Sequence, residues 1–222
     1  MCLVTFYPKA HPSTMTTMAR LSYKEQIQRV REDAIVEAVN RLLATKGYDA
    51  MTVDEVAAEA GMAKASVYKH FASKEDLAAA AMVRALDRAV AFVDGQREQA
   101  DTPPMDQLKA VARWAIASQL EGEMPSLPSQ NSALSNSLQA NEAYMDRLIS
   151  LSNKLSIWIT QAQTSGQLSS DLPAEMMLYI LFARACDPVV GMLKASGMYT
   201  NEQILDWVTT TTFDGVRPLA KA

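Results

Sequence analysis

Residues 52–77, TVDEVAAEAGMAKASVYKHFASKEDL, constrain this chain more than any other stretch. Thr52 and Glu55 have the spacing of a capping box: the Thr hydroxyl accepts from the Glu55 N–H and the Glu carboxylate accepts from the Thr52 N–H, which starts a helix. Val53, Val56, Ala57 and Ala60 recur at helical spacing and give that helix one narrow apolar face. Gly61 ends it, because a left-handed residue after the last turn costs glycine almost nothing. A second short helix, about Lys64 to His70, turns Val67 and Phe71 inward and Lys64, Ser66, Tyr68 and Lys69 outward. Ser73, with Asp76 three residues on, starts a third. Two small helices joined by a tight turn, the second displaying basic, hydroxyl and aromatic groups, suit insertion into a DNA major groove.

The same residues carry a family resemblance. Thr52, Ala57, Ala60-Gly61, Tyr68-Lys69-His70-Phe71 and Ser73-Lys74-Glu75-Asp76-Leu77 resemble the helix-turn-helix of the tetracycline-repressor (TetR/AcrR-like) family of bacterial regulators. The match is dense over about 45 residues and gives way beyond Leu77 to a compatible length and helix count. Ala63 departs from the pattern, standing where many members carry Ser or Thr at the cap of the recognition helix. That loss costs about 1 kcal/mol of helix stability and removes one phosphate contact.

Composition agrees with an all-α fold. Gly and Pro together number 17 of 222 residues, too few for a turn-rich β protein, and the 49% hydrophobic content fills a sizeable core. The net charge of −4 argues against indiscriminate nucleic-acid binding. Residues 19–78 hold 9 basic and 10 acidic side chains, yet Lys64, Lys69 and Lys74 lie in 61–74 with no acid between them. Arg20, Lys24, Arg29 and Arg31 face only Glu25 in 20–31. Two local positive patches suffice, since attraction to phosphate is local and salt-sensitive.

Cys2 and Cys186 make no disulfide framework, which fits a reducing cytoplasm. The run Leu3 to Tyr7 is too short for a signal-peptide core, and no apolar stretch is read as approaching the roughly 18 residues of a membrane span. Residues 1–18 lack periodicity and are expected to be a disordered tail; Met15 and Met18 leave open a start downstream of Met1. Residues 19–77 are assigned as the DNA-binding domain and 78–222 as the effector-binding and dimerisation domain. Nine helices are predicted: three in the head and six in the body. The first runs from Tyr23 to Lys46, with Ile27, Val30, Ala34, Ala38 and Leu42 on its inner face. The eighth, from Asp171, reaches Ser196-Gly197 with a kink near Pro188. Thr200 and Gln203 open the ninth with another capping box.

Within the head, Lys64 and Ser66 are placed nearest base edges, and Tyr68, Lys69, Thr52 and Lys74 nearest phosphates. His70 and Tyr48 are also placed against the DNA backbone; the alternative gives Tyr68 and His70 to packing against the first helix. One such head reads few base pairs, so a two-fold dimer on a palindromic double-stranded operator is expected. The resemblance implies that the last two long helices of each subunit form the homodimer interface, here through Met177, Leu181, Leu193, Ile204, Leu205 and Val208. It also implies an effector pocket for a small, largely apolar molecule. Trp114, Met124, Tyr144, Met145, Trp158, Tyr179 and Phe182 are the candidate lining, with Arg113, Arg184 or Asp187 as polar anchors. The implied function is a transcriptional regulator, a repressor released from its operator when the effector binds; activation instead depends on operator position. No cofactor is expected. A helical enzyme is the rival class, and the sequence offers it two histidines and no HExxH, CxxC or phosphate loop.

Overall fold

The computed structural model describes residues 22–98, 101–125 and 133–214, and among these it contains helices and no strand. The expected tail lies outside the described residues. Local sequence sets most helix starts. The first helix, α1 (Tyr23–Ala50), opens on a capping box of Ser22 with Glu25, and α2 (Val53–Glu59) on the box of Thr52 with Glu55. After α3 (Lys64–His70), Ser73 Oγ accepts from the Asp76 N–H at 3.0 Å to start α4 (Lys74–Arg97). Pro103-Pro104 opens α5 (Pro104–Leu120), where a missing N–H costs nothing. The short α6 (Ala133–Ala140) precedes α7 (Glu142–Thr164), whose cap Asn141 accepts from the Tyr144 N–H at 2.9 Å. The last three are α8 (Ala174–Arg184), α9 (Pro188–Ser196) and α10 (Asn201–Asp214).

Three expectations need correction. Gly47 interrupts α1 as predicted (φ 75°, ψ 172°), but the inner face differs. Ile27 and Val30 are 38% and 67% exposed, and burial starts only at Ile35, continuing through Ala38, Val39, Leu42 and Leu43. The kink near Pro188 is a full break: Asp187 leaves the helix, accepts from the Val189 N–H at 3.0 Å and so caps α9, making ten helices among the described residues where nine are predicted. Residues 174–196 are also, taken together, long and apolar enough by length and composition to cross a membrane. The break divides them into pieces of 11 and 9 residues, each far short of a span.

Helix α4 joins the two ends of the molecule. Its first half contributes Leu77, Ala78, Ala81 and Met82 to a core shared with α1, α2 and α3, which Leu134 and Leu138 of α6 complete. Its second half contributes Val93 to a core with α5, α7, α8 and Phe213 of α10. Val190, Ile204 and Val208 pack with Ile116 and Leu120 into a third cluster. The run of threonines near the end of α10 is held by burial of Thr209 and Thr212, whose hydroxyls donate to the carbonyls of Leu205 and Val208, each at 2.6 Å.

Candidate nucleic-acid interface and body cavity

The α2–α3 turn is made as the sequence predicts. Gly61 is left-handed (φ 66°), the Met62 N–H donates to the Ala57 carbonyl at 2.9 Å, and the Gly61 N–H to the Ala58 carbonyl at 3.2 Å. Helix α3 is anchored by Val67, fully buried, with Phe71 and Met62 packed beside it. Ala63 occupies the cap position with extended backbone (φ −73°, ψ 143°) and makes no side-chain cap bond.

The outward residues divide into engaged and unengaged groups. Tyr68 is 46% exposed, and Lys69 is exposed with no ion pair to a described residue. Ser66 is half-buried. Lys64 is exposed but pairs with Asp54 of α2 at 2.9 Å, and that carboxylate raises the pKa of its ammonium. The Thr52 hydroxyl is spent on its own helix, accepting from the Glu55 N–H at 3.3 Å and donating to the Glu55 carboxylate at 3.0 Å. Lys46 also pairs with Glu55, and it and the Thr52 bonds hold that carboxyl below its usual range.

Tyr48, His70 and Lys74 form contacts that sequence spacing does not reveal. Tyr48 Oη donates to Glu75 at 2.7 Å, and the Lys74 ammonium lies 4.4 Å from the centre of the Tyr48 ring and 3.4 Å from the Asp49 carbonyl. Burial is the main cause, and the bond to Glu75 the second, of a Tyr48 phenol pushed above its ordinary value. The cluster fixes Lys74 at the start of α4, beside the exposed tip of the head. His70 is nearly enclosed: its Nδ1 lies 3.2 Å from Glu32 of α1, so its ring ties α3 to α1. His70 thus packs against the first helix, Tyr68 does not, and the Tyr48 hydroxyl is engaged within the head.

A cavity of about 280 Å³ lies in the body between α4, α5, α7 and α8. Trp114, Met124, Tyr144 and Phe182 line it; Met145, Trp158 and Tyr179 do not. Trp158 is core, 4% exposed, and Tyr179 points to solvent, 69% exposed. The remaining lining is mostly aliphatic, including Leu86, Leu148, Leu151 and Leu155. Space arises where small residues face one another: Ala85 and Ala89 on α4, Ala115 on α5 and Ala185 after α8. That juxtaposition of alanines was the missed signal. No charged side chain is among the described lining residues. The proposed anchors are engaged elsewhere, Arg113 with Asp206 at 2.6 Å and Arg184 with Asp187 at 2.7 Å. Burial raises the pKa of both the Tyr144 phenol and the Cys186 thiol, so both stay neutral.

The expected interface residues also need correction. Met177, Leu181, Ile204 and Val208 are between 0% and 5% exposed within the single chain and offer nothing to a partner. Leu193 and Leu205 are half-buried against the third cluster. The opposite faces are bare: Met176 and Tyr179 on α8, Val189 and Met192 on α9, and Trp207 on α10 are all exposed. Helical periodicity identified apolar helices, but helices apolar on both faces do not reveal which face meets their own chain.

A capped helix-turn-helix on an otherwise all-helical body defines the class: an all-α protein with a helix-turn-helix head. Residues 35–81 match the model of the bacterial regulatory proteins of the tetR family. Over those residues the chain is similar to the DNA-binding part of that family. It is 31% identical over 78 residues to the HTH-type transcriptional regulator AlkX of Mycobacterium tuberculosis, 35% of this chain and 37% of that protein. The chain thus spans about a third of the length of the curated relatives it matches. Solved structures match more of it. Transcriptional regulator FadR of Bacillus subtilis, in complex with stearoyl-CoA, superposes with a TM-score of 0.63 at 16% identity, covering 83% of this chain and 99% of that one. A TetR family transcription regulator from Marinobacter aquaeolei gives 0.59 at 18% identity, covering 86% and 98%. These likenesses establish the fold.

Proposed function

We propose that this chain is a ligand-responsive, sequence-specific transcriptional regulator, a repressor released from a palindromic operator when a small, largely apolar molecule enters the body cavity. The observation that carries the reading is the α3 surface: Tyr68 and Lys69 stand clear of the head on a helix fixed from behind by Val67. Residues 19–77 are read as the DNA-binding domain and 78–222 as the effector-binding and dimerisation domain. Lys64 and Ser66 are assigned to base edges, and Thr52, Tyr68, Lys69 and Lys74 to phosphates. Lys64 reaches DNA by exchanging Asp54 for it. Tyr48 and His70 act behind the surface, by holding Lys74 and α3 in place.

The working unit is a cytoplasmic homodimer. Its interface is read onto the bare faces of α8 to α10, where Tyr179, Met192 and Trp207 give the exposed apolar area that one chain leaves uncovered. The effector is apolar because the cavity presents aliphatic and aromatic side chains and, among its described residues, no charge. The FadR structure carries stearoyl-CoA, a ligand with a long apolar portion. The family is one of transcriptional regulators, and the chain is read as non-catalytic. A coupling of about 1–3 kcal/mol between cavity and head changes operator affinity by one to two orders of magnitude.

Retention of genomic fragments by the purified protein, followed from low to high salt, tests the reading. Sequence-selective retention that weakens steeply with salt is the expected result. No retention at any salt contradicts it.

A further inference from the structure

We propose that Asn40 of α1 and Arg88 of α4 hold the segment after α5 as a strap, and that filling the cavity acts on α1 through the carbonyl of Glu123. This rests on the reading of the cavity as the effector site. The segment begins at the end of α5, where Gly122 is left-handed (φ 76°) and the Glu123 N–H donates to the Ser118 carbonyl at 2.8 Å. The next two residues, Met124 and Pro125, are cavity wall. Between cap and wall, Glu123 is held from two helices. The Asn40 Nδ2 donates to its carbonyl at 2.7 Å across 83 positions of sequence. The Arg88 guanidinium donates to its carboxylate at 3.0 Å and also to the same carbonyl.

The two anchors differ in what they report. Arg88 lies on α4 between Leu86 and Ala89, both cavity residues, so it moves with the pocket. Asn40 is 8% exposed and lies on α1 beside Val39 and Leu43, which pack in the head core with Val56 and Val67. A ligand that pushes Met124 and Pro125 outward therefore pulls on a carbonyl bound to α1, whose Val39 and Leu43 share one core with Val56 of α2 and Val67 of α3. The His70–Glu32 contact at 3.2 Å makes a second seam between α3 and α1. This path reaches the recognition helix through α1 and adds to any movement of α4 along its own axis. Both anchors are positioning residues, since neither lines the cavity or faces DNA.

The test uses the full chain and 1-decanol, a neutral single-hydroxyl probe suited to a cavity whose described lining is aliphatic and aromatic. Tryptophan fluorescence reports entry, because Trp114 is cavity wall, and amide hydrogen exchange of residues 36–44 reports α1. In the wild type, decanol shifts the fluorescence and changes exchange in 36–44 severalfold. In Asn40→Ala the fluorescence shift persists and the exchange change is lost. Arg88→Gln, on the half-exposed side of the same contact, shows a reduced change and decides the matter should Asn40→Ala fold poorly. An α1 response equal to wild type in the folded variants overturns the strap, as does a wild type whose cavity fills without any α1 response. Absence of a fluorescence shift in all proteins instead removes the cavity reading, and the strap with it.

Discussion

Single side chains in the head are organised around Tyr48. Its hydroxyl bonds Glu75 and its ring carries Lys74, so Tyr48→Phe should lower stability by about 1 kcal/mol, measured by thermal or urea unfolding. Hydrogen bonding from Tyr48 is the main cause of a Glu75 carboxyl held below its ordinary range. The associated stability is present above the unfolded carboxylate value of about 4.3 and is lost as pH falls through the lower folded value. Tyr48→Phe should therefore flatten the acid limb of the stability profile as pH falls below the ordinary carboxylate range. A different outcome follows for Asp54, whose pair with Lys64 is exposed and adds little to folding. Asp54→Ala should leave the melting temperature in place while tightening duplex binding and steepening its salt dependence, read by fluorescence anisotropy across a salt series. The Thr52, Ser73 and Thr200 caps are legible in sequence because each bond spans three residues. The partners of Tyr48 and His70 lie 27 and 38 residues away, and only the packing of α1 against α3 and α4 selects them.

At the scale of helices, the weakest start is that of α3. Ala63 already has cap geometry without a cap acceptor, so Ala63→Ser should stabilise the protein by about 1 kcal/mol, a rise of about 2–4 °C in Tm by calorimetry. Apart from the break at Asp187, helix existence was readable among the described residues, since caps, Gly61 and Pro104 act locally. Which face turns inward was readable only where one face is apolar. In α1 the apolar positions Tyr23, Ile27 and Val30 are exposed, because the buried part of the helix begins only at Ile35. In α8 both faces are apolar, so Met177 and Tyr179 are equivalent by sequence and opposite in burial. The cavity was half-readable for a related reason. Bulky aromatics mark where a wall stands, whereas the space itself is left by Ala85, Ala89 and Ala115, whose identity alone says nothing about what faces them.

Among the described residues two cores share α4 and a third cluster joins α5, α9 and α10, with apolar surface left over on α8, α9 and α10. Charged substitutions there should dissociate the proposed dimer with the fold retained: Tyr179→Glu combined with Met192→Glu is expected to sediment as a folded monomer in analytical ultracentrifugation. Met177→Ala, inside the single chain, should instead cost about 2–5 kcal/mol of stability and leave subunit stoichiometry unchanged. The account stands or falls on whether the outer face of α3 reads duplex DNA. Equilibrium binding of the doubly substituted Tyr68→Ala, Lys69→Ala protein to the fragment retained by the wild type measures this directly. The predicted result is an affinity loss of about tenfold or more with an unchanged melting temperature. An affinity equal to wild type at every salt concentration would contradict the account.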